Sequence, residues 1–138
     1  EISPDNSVLE VFDNKLMKNH HGGVILLNNH IYGYSDGVGW LCQNFESGER
    51  VWRNRDEFGK GSIAYADGMF YCLDKEEGIV ALVDASPEHW NERGRFTLDP
   101  QSQRRKPSGR IWTHPVIVDG RLYLRDQELL FCYDVKQP

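Results

Sequence analysis

The sequence predicts an all-β fold of about three four-stranded antiparallel blades of a β-propeller. Three observations predict it: glycine and proline interrupt the chain throughout, short apolar runs lie between them, and one pattern of turns and strands recurs. The 138 residues include 13 glycines and 6 prolines, and only the stretches 5–21 and 121–137 run for more than ten residues without either. Helices of ordinary length are therefore hard to place.

Short runs rich in Val, Ile, Leu, Tyr and Phe account for the strands. Asp-Gly and Asn-rich segments separate them, a pattern typical of antiparallel meanders. Glycine in these segments supplies the positive φ angles that tight hairpins need. The runs are 24–27, 31–34, 63–66, 69–73, 79–83, 115–118, 122–124 and 129–133.

The repeat emerges when the turns at Asn29, Asp67 and Asp119 are aligned, which puts His30 at the place of a turn glycine. An apolar strand precedes each turn, and an aspartate that we expect to cap the next turn follows seven residues later. These aspartates are Asp36, Asp74 and Asp126, and the strands after them end at Asn44, Asp84 and Asp134. Repeat spacings of 38 and 52 residues, the second lengthened by the polar stretch 99–110, are typical of propeller blades.

Residues 42–52, CQNFESGERVW, resemble the tryptophan-docking motif of quinoprotein dehydrogenase propellers, Ala-x-Asp-x-x-Thr-Gly-Lys-x-x-Trp. Gly48 and Trp52 are identical to the motif, and the other four motif positions carry replacements. The segments IYGYSDG, KGSIAYADGMFYCLD and HPVIVDGRLYLRDQELLFCYD resemble the PQQ-binding-like β-propeller repeat proteins of bacteria, over about 21–136. This resemblance implies that Gly48 makes the turn between the last two strands and that Trp52 docks between adjacent blades.

Two further aromatic residues are expected at the position of Trp52 in the neighbouring repeats. Phe96 is one of them, in RGRFTL; Phe12 is the other, because VFDNK at 11–15 matches VWRNR at 51–55. The predicted order is an outer strand at 8–14, a blade over 21–55, a blade over 60–98 and an incomplete blade over 112–136. That makes twelve strands.

Three blades are too few to close a propeller, which needs at least four. We therefore expect the chain to be the C-terminal part of a longer protein, and the resemblance implies an exported one, periplasmic or extracellular. No signal peptide is present in the sequence as given, which starts at Glu1. The 138-residue chain is also predicted to self-associate, with strand 8–14 of each copy completing the last blade of the other.

Composition argues against several other classes of protein. With 16 Lys and Arg against 21 Asp and Glu, the net charge of −5 disfavours nucleic-acid binding. No apolar run approaches the roughly 18 residues that a membrane span needs. The three cysteines lack the spacing of a metal site, and we predict that all of them are buried free thiols.

Polar residues that interrupt the repeat are better site candidates than those that recur. His20 and His21 in KNHHGG, Lys60, and Trp112 and His114 in IWTHPV all precede the first strands of blades. First strands line the central channel of a propeller, so we predict that these five residues bind a ligand at its mouth. The alternative reading is that the histidines satisfy backbone groups, Lys60 is solvated and Trp112 packs between blades.

The sequence thus predicts a non-catalytic binding or interaction module whose ligand is a protein, a peptide or a glycan. No catalytic residue, metal or cofactor is predicted. The alternative is part of a PQQ-dependent alcohol or sugar dehydrogenase. The resemblance implies that such an enzyme holds PQQ over the channel with Ca²⁺ bound by carboxylate and amide oxygens, often beside a disulfide between adjacent cysteines. The present sequence has no adjacent cysteine pair.

Overall fold

The computed structural model describes residues 2–136, which form eleven strands and no helix. The strands make three antiparallel sheets, each strand pairing with the next along the chain. The first sheet contains β1 (Val24–Leu27), β2 (His30–Ser35), β3 (Gly39–Asn44) and β4 (Arg50–Asn54). The second contains β5 (Gly61–Ala66), β6 (Met69–Asp74), β7 (Ile79–Asp84) and β8 (Glu92–Thr97), and the third contains β9 (Val116–Val118), β10 (Arg121–Asp126) and β11 (Leu129–Asp134). The prediction of an all-β fold of antiparallel sheets is confirmed. A helix long and apolar enough to cross a membrane is likewise absent from residues 2–136.

A two-residue turn joins the first two strands of every sheet. In the first sheet its residues are Asn28 and Asn29, with φ angles of 48° and 62°. The turns Asp67-Gly68 and Asp119-Gly120 take the same place in the other sheets, again with positive φ at both residues. Two consecutive positive φ angles define the type I′ hairpin, which Asn, Asp and Gly favour. The first turn therefore lies one residue earlier than the alignment on Asn29 predicts, and His30 is the first residue of β2.

The second strand of each sheet ends in a buried polar residue. These residues are Ser35, Asp74 and Asp126, and none is more than 4% exposed. The prediction that Asp36 is equivalent to the two aspartates is wrong by one residue, because the first turn comes earlier. Asp36 is exposed and forms an ion pair with Lys60.

The three sheets stack face to face, with the second sheet in the middle. Side chains alternate between the faces of a strand, so Phe70 and Cys72 of β6 join the core shared with the first sheet. Leu73 of the same strand joins the core shared with the third sheet. The first core contains Tyr32, Trp40, Cys42, Phe58, Ile63, Phe70, Cys72, Ala81 and Val83, and the second contains Tyr71, Leu73, Val80, Leu98, Ile111, Leu122 and Leu124. Strand β5 contacts β1, β2 and β9, so the first strands of the sheets are neighbours.

Trp52 links the first sheet to a loop of the second. It lies opposite Cys42, packs against the first core, and its indole Nε1 donates a hydrogen bond of 3.2 Å to the carbonyl oxygen of Ser86. Gly48 makes the turn between β3 and β4 with a φ of 70°. Phe96 does not occupy the position of Trp52 as predicted. The residue opposite Leu82, which is the repeat equivalent of Cys42, is Gly94.

Phe96 lies two residues further along β8, opposite Val80. Its ring centroid is 4.8 Å from that of Tyr133, so it still contacts the third sheet. A register irregularity between Leu82 and Val83 accompanies the pairing of β7 with β8, and the pairing of β3 with β4 has the same irregularity between Cys42 and Gln43. The sequence spacing along β8 does not show which of its residues pairs with Leu82. For this reason the prediction that Phe96 takes the position of Trp52 failed.

The predicted outer strand at 8–14 is wrong, since the described residues contain no strand there and only an isolated bridge between Ile2 and Val8. The segment binds the first sheet through side chains instead. A Cβ atom at Gly48 would lie 2.9 Å from the ring of Phe12, and Asn14 Nδ2 donates a 2.9 Å hydrogen bond to the Gly48 carbonyl oxygen.

The prediction of three buried thiols holds for two of them. Cys42 and Cys72 are buried, whereas Cys132 is exposed. Burial raises the pKa of Cys42 to about 11. Cys132 lies on β11, on the face of the third sheet that no other sheet covers, and this explains its exposure.

Replacing Trp52 with alanine should lower the free energy of unfolding by about 3 kcal/mol, because a large aromatic side chain and its hydrogen bond to Ser86 are lost together. Chemical denaturation followed by circular dichroism measures the change. Trp112→Ala is the matched control: that indole is 46% exposed, and its loss should cost less than about 1 kcal/mol. Equal destabilisation by the two substitutions would contradict the docking role of Trp52.

Candidate functional site

The five residues predicted to bind a ligand meet at one end of the stacked sheets. The ring centroids of His20 and His21 are 3.7 Å apart, and those of His21 and Trp112 are 4.3 Å apart. Lys60 Nζ lies 3.2 Å from His20 Nδ1, and His114 Nε2 lies 2.7 Å from the carbonyl oxygen of His21. We call these five residues the histidine–tryptophan cluster. Three loops supply it, one before the first strand of each sheet.

Buried polar residues at the ends of the second strands hold these loops. In an antiparallel sheet the end of the second strand lies beside the start of the first. Ser35 Oγ donates to the Leu16 carbonyl oxygen at 2.7 Å and accepts from the Lys18 amide at 2.9 Å. Asp126 accepts hydrogen bonds of 3.0 Å from the Ser102 amide and from Arg105. The cluster is thereby tied to the ends of the core strands.

The loop that carries the two histidines is closed on itself and lies tightly against β5. Asn19 Oδ1 accepts from the Gly23 amide at 3.1 Å, while Asn19 Nδ2 donates to the Gly23 carbonyl oxygen at 3.0 Å. A Cβ atom at Gly22 would lie 2.0 Å from the carbonyl oxygen of Gly61, so position 22 has room only for glycine. The Ile63 amide donates to the Gly22 carbonyl oxygen at 3.1 Å. This close approach sets the positions of His20 and His21 over the second sheet.

Lys60 is paired and mostly covered, with a side-chain exposure of 17%. Its ammonium group forms an ion pair with Asp36, and this hydrogen bond lowers the pKa of that carboxyl. The Lys60 carbonyl oxygen accepts a 3.0 Å hydrogen bond from the Lys75 amide. Lys60 therefore joins the first sheet to the second, and any anionic group at the cluster has to share it with Asp36.

Trp112 is held at its backbone while its ring remains about half exposed. The Ile111 amide donates to the Lys75 carbonyl oxygen at 2.9 Å, and Ser62 Oγ donates to the Thr113 carbonyl oxygen at 3.0 Å. Lys75 Nζ lies 5.3 Å from the centroid of the indole, within the range of a cation–π contact. A fixed, exposed indole is suited to stacking against the flat face of a ligand.

His21 favours its neutral form. Its pKa is lowered first by removal of water around the ring, then by the positive charges of His20, Lys60 and Lys75, while Asp36 opposes the shift. His114 Nε2 must donate to the His21 carbonyl oxygen, since that oxygen has no hydrogen to give. This contact matches the alternative reading, in which histidines satisfy backbone groups.

An open cleft of about 400 Å³ lies on the other side of Trp112. We call it the arginine cleft; it is lined by Arg104, Arg110, Trp112, Thr113, Arg125, Gln127 and Glu128. The void beneath the histidine–tryptophan cluster is only about 10 Å³, the size of one water molecule. A ligand of several atoms therefore has room in the arginine cleft and over the cluster, and none beneath the cluster.

Of the residues in this cleft, only Trp112 was predicted from the sequence to bind a ligand, whereas Arg104, Arg105 and Arg110 belong to the polar stretch 99–110 that was expected only to lengthen the second repeat. Arg105 is instead largely buried and forms an ion pair with Asp126, and Arg110 pairs with Glu76. Arg125 comes from a strand, remote in sequence from the others. The one available signal was the basic composition of 104–110, which could not reveal how the loop folds.

A larger open pocket, about 640 Å³, lies away from the cluster beside β4. Residues 53–57, His89 and Trp90 line it. Trp90 Nε1 is buried and has no hydrogen-bond partner within the described residues, although its ring stacks on Phe58 with centroids 6.0 Å apart. The predicted site residues do not line this pocket.

No group of three or more His, Cys, Asp or Glu side chains within residues 2–136 is arranged to hold a metal ion. Near the cluster, the carboxylates of Asp36 and Glu76 are paired with Lys60 and Arg110. Ca²⁺ requires six to eight oxygen ligands, including carboxylates that other cations do not occupy. The residues present at this end of the sheets do not fit a calcium-assisted quinone site.

Comparison of the sequence with models of known protein families found no match, and comparison with curated proteins found none either.

Replacing Lys60 with methionine should raise the pKa of His21, because one nearby cation is lost and the Asp36 carboxylate is left unneutralised. NMR titration of the His21 ring protons measures the shift. Lys136→Met is the control, since Lys136 packs against Gly120 at the opposite end of the third sheet, and it should leave the titration of His21 unchanged. A pKa that stays constant or falls in Lys60→Met would contradict this account of the cluster's electrostatics.

Proposed function

We propose that the chain is a non-catalytic β-propeller repeat module that binds a ligand where the histidine–tryptophan cluster meets the arginine cleft. The three sheets supply three consecutive blades. This part of the proposal is supported by the sequential strand order in each sheet, by the face-to-face stacking and by the contacts of β5 with β1 and β9. Three of the eleven strands are then the inner strands of their blades.

The observation that carries the binding proposal is the meeting of five side chains from three loops. Residues as far apart in sequence as His21 and His114 contact each other only because the sheets stack. Several of these side chains are polar or aromatic, and a half-exposed indole lies among them. Sites on loops held by a rigid scaffold commonly bind ligands.

The chemistry of the cleft favours a ligand that carries carboxylates and has a flat apolar face. Arg104, Arg110 and Arg125 line the cleft together with Glu128. Arg104 and Arg110 form ion pairs with Glu128 and Glu76, so an anionic ligand shares these two guanidinium groups with carboxylates of the chain. Guanidinium groups bind carboxylates with paired hydrogen bonds. Trp112 supplies the flat surface for stacking. This group of three arginines contrasts with the chain as a whole, whose net charge is −5. An acidic glycan combines both features, since its sugar rings stack on tryptophan and its uronate groups pair with arginine.

In this proposal the protein belongs among the exported bacterial propeller repeat proteins that its motifs resemble, and it presents the cleft to glycans outside the cytoplasm. What supports this placement is the docking motif around Gly48 and Trp52 and its match to the contacts in the fold: Trp52 reaches the next sheet at Ser86. No redox step is assigned to it.

Acidic oligogalacturonides should bind the chain, whereas neutral cello-oligosaccharides of equal length should bind at least about tenfold more weakly. Isothermal titration calorimetry measures both affinities. Trp112→Ala should weaken binding by about tenfold or more, because the stacking surface is removed. Phe45→Ala is the matched control, since Phe45 is similarly exposed but lies in the turn between β3 and β4.

Binding that Trp112→Ala leaves unchanged would contradict the proposed site. If an acidic peptide binds at this site and the glycans do not, the proposed location of the site is retained and the ligand is a peptide instead of a glycan. Stable uptake of PQQ with Ca²⁺, followed by reduction of an artificial electron acceptor with alcohols or sugars, would favour the dehydrogenase alternative.

A further inference from the structure

A pocket of about 270 Å³ lies where the end of β6 meets the loop that leads to β5. It shares no lining residue with the arginine cleft. Four carboxylates and one guanidinium group line it, so its charge is opposite to that of the cleft. We call it the acidic pocket, and its charged residues are Glu57, Asp74, Glu76, Glu77 and Arg95.

Asp74 is the buried carboxylate of the acidic pocket, with an exposure of 4%. Its Oδ1 atom accepts hydrogen bonds of 2.9 Å and 2.6 Å from the amides of Glu76 and Glu77. Within residues 2–136, no hydrogen bond or ion pair involves its Oδ2 atom. A Cβ atom at Gly59 would collide with Oδ2, and Gly59 lines the same pocket, so the missing side chain leaves this oxygen open to it. A buried carboxylate oxygen without a partner is costly, and a donor that enters the pocket removes this cost.

The remaining carboxylates of the pocket differ in how far they are neutralised. Glu76 forms an ion pair with Arg110, and the Glu57 carboxylate accepts a 3.1 Å hydrogen bond from Asn54 Nδ2. The Glu77 side chain is exposed and forms no ion pair with any residue from 2 to 136. Asp74 and Glu77 are therefore the two carboxylates that an added cation would neutralise.

Arg95 lines the pocket without neutralising Asp74. Its Nε and Nη2 atoms donate to the two carboxylate oxygens of Glu92 at 2.5 Å and 2.6 Å. Its guanidinium carbon lies 5.9 Å from the ring centroid of Phe58, within the range of a cation–π contact. The aromatic wall of the pocket is thus already compatible with a guanidinium group.

The third sheet shows what occupies the equivalent position there. Asp126 ends β10 as Asp74 ends β6, and both carboxylates are buried. Asp126 Oδ2 accepts a 3.0 Å hydrogen bond from the guanidinium of Arg105, whose side chain is only 11% exposed. Among the described residues, no cation takes this place at Asp74. A guanidinium group suits it, because it is weakly hydrated and pairs with a carboxylate in a fixed geometry.

We propose that the acidic pocket binds a guanidinium group of another molecule, either an arginine side chain or a small guanidino compound. The guanidinium pairs with Asp74 Oδ2 in the pocket and with the carboxylate of Glu77 at its exposed rim. The alkyl part of the ligand lies against Phe58 and Ile79, which also line the pocket. A metal ion does not fit, since residues 2–136 contain no group of three or more His, Cys, Asp or Glu side chains that can hold one.

The inference goes beyond the proposed function, because it concerns a different pocket and a ligand of opposite charge. Failure of the acidic glycans to bind the arginine cleft would leave it unaffected.

NMR titration of the 138-residue chain with Nα-acetyl-arginine N-methylamide tests the inference. The Glu76 and Glu77 amides donate to Asp74, so their resonances should shift and reach saturation. The matching citrulline derivative has nearly the same shape and no charge, and it should bind at least about tenfold more weakly. The lysine derivative should also bind more weakly than the arginine derivative, because its ammonium group is more strongly hydrated.

Asp74→Asn should weaken binding of the arginine derivative by at least about tenfold, since it removes the charge and keeps an oxygen for the two amides. Asp67→Asn is the matched control. It makes the same substitution at the opposite end of the second sheet, in the turn between β5 and β6, where asparagine suits the φ angle of 48°. If Asp74→Asn does not fold, Glu77→Gln replaces it, because Glu77 is exposed, and it should weaken binding by about threefold.

Ethylguanidinium, titrated in parallel, distinguishes the two sources of the guanidinium group. Affinity equal to that of the arginine derivative supports a small guanidino compound, and weaker affinity supports an arginine side chain. Shifts that do not saturate would overturn the inference. Equal affinities for the arginine and citrulline derivatives, or unchanged binding to a folded Asp74→Asn, would overturn it as well.

Discussion

Burial of the second sheet on both faces is the interaction on which the rest of the structure depends. One face packs against Tyr32 and Trp40 of the first sheet, and the other packs against Leu122 and Leu124 of the third. A single small sheet cannot bury both faces alone, so neither outer sheet has a comparable core without the middle one. The stacking also brings the starts of β1, β5 and β9 together, and only this proximity assembles the histidine–tryptophan cluster.

The core and the cluster are joined by polar residues at the strand ends. Ser35 and Asp126 are fully buried, and the hydrogen bonds that they make go to backbone and charged groups nearby, while Asp126 Oδ1 has no hydrogen-bond partner within the described residues. Ser35 and Asp126 each make hydrogen bonds to the loop that leads to the first strand of their own sheet. Asp74 lies against Gly59 in the loop that leads to β5, but it accepts its hydrogen bonds from the Glu76 and Glu77 amides in the turn after β6, and burial raises the pKa of its carboxyl. Rearranging the loop before β1 or the loop before β9 would therefore remove hydrogen bonds that buried Ser35 or Asp126 makes.

Local turn chemistry made the fold class predictable, because Asp-Gly and Asn-Asn can be read directly as hairpins. The contact between His21 and Trp112 could also be predicted from the sequence, because each residue precedes the first strand of its sheet. Register was not predictable to the residue. The Asn-Asn turn lies one residue earlier than expected, so Ser35 takes the place expected for Asp36. Gly94, and not Phe96, lies opposite Leu82, although the first sheet has the same irregularity of pairing beside Cys42 and keeps Trp52 opposite it. The arginine cleft was missed because its residues come from a long loop and a strand whose contact depends on tertiary packing.

Native-state hydrogen exchange measured by NMR tests the central role of the second sheet most directly. Amides of β6 and β7 should exchange only through global unfolding, because both faces of these strands are buried. Amides of β10 and β11 should exchange faster, through local opening of the sheet that is covered on one face. If β10 and β11 were protected as strongly as β6 and β7, the stability of the stack would not depend on burial of the second sheet, and the account would be contradicted.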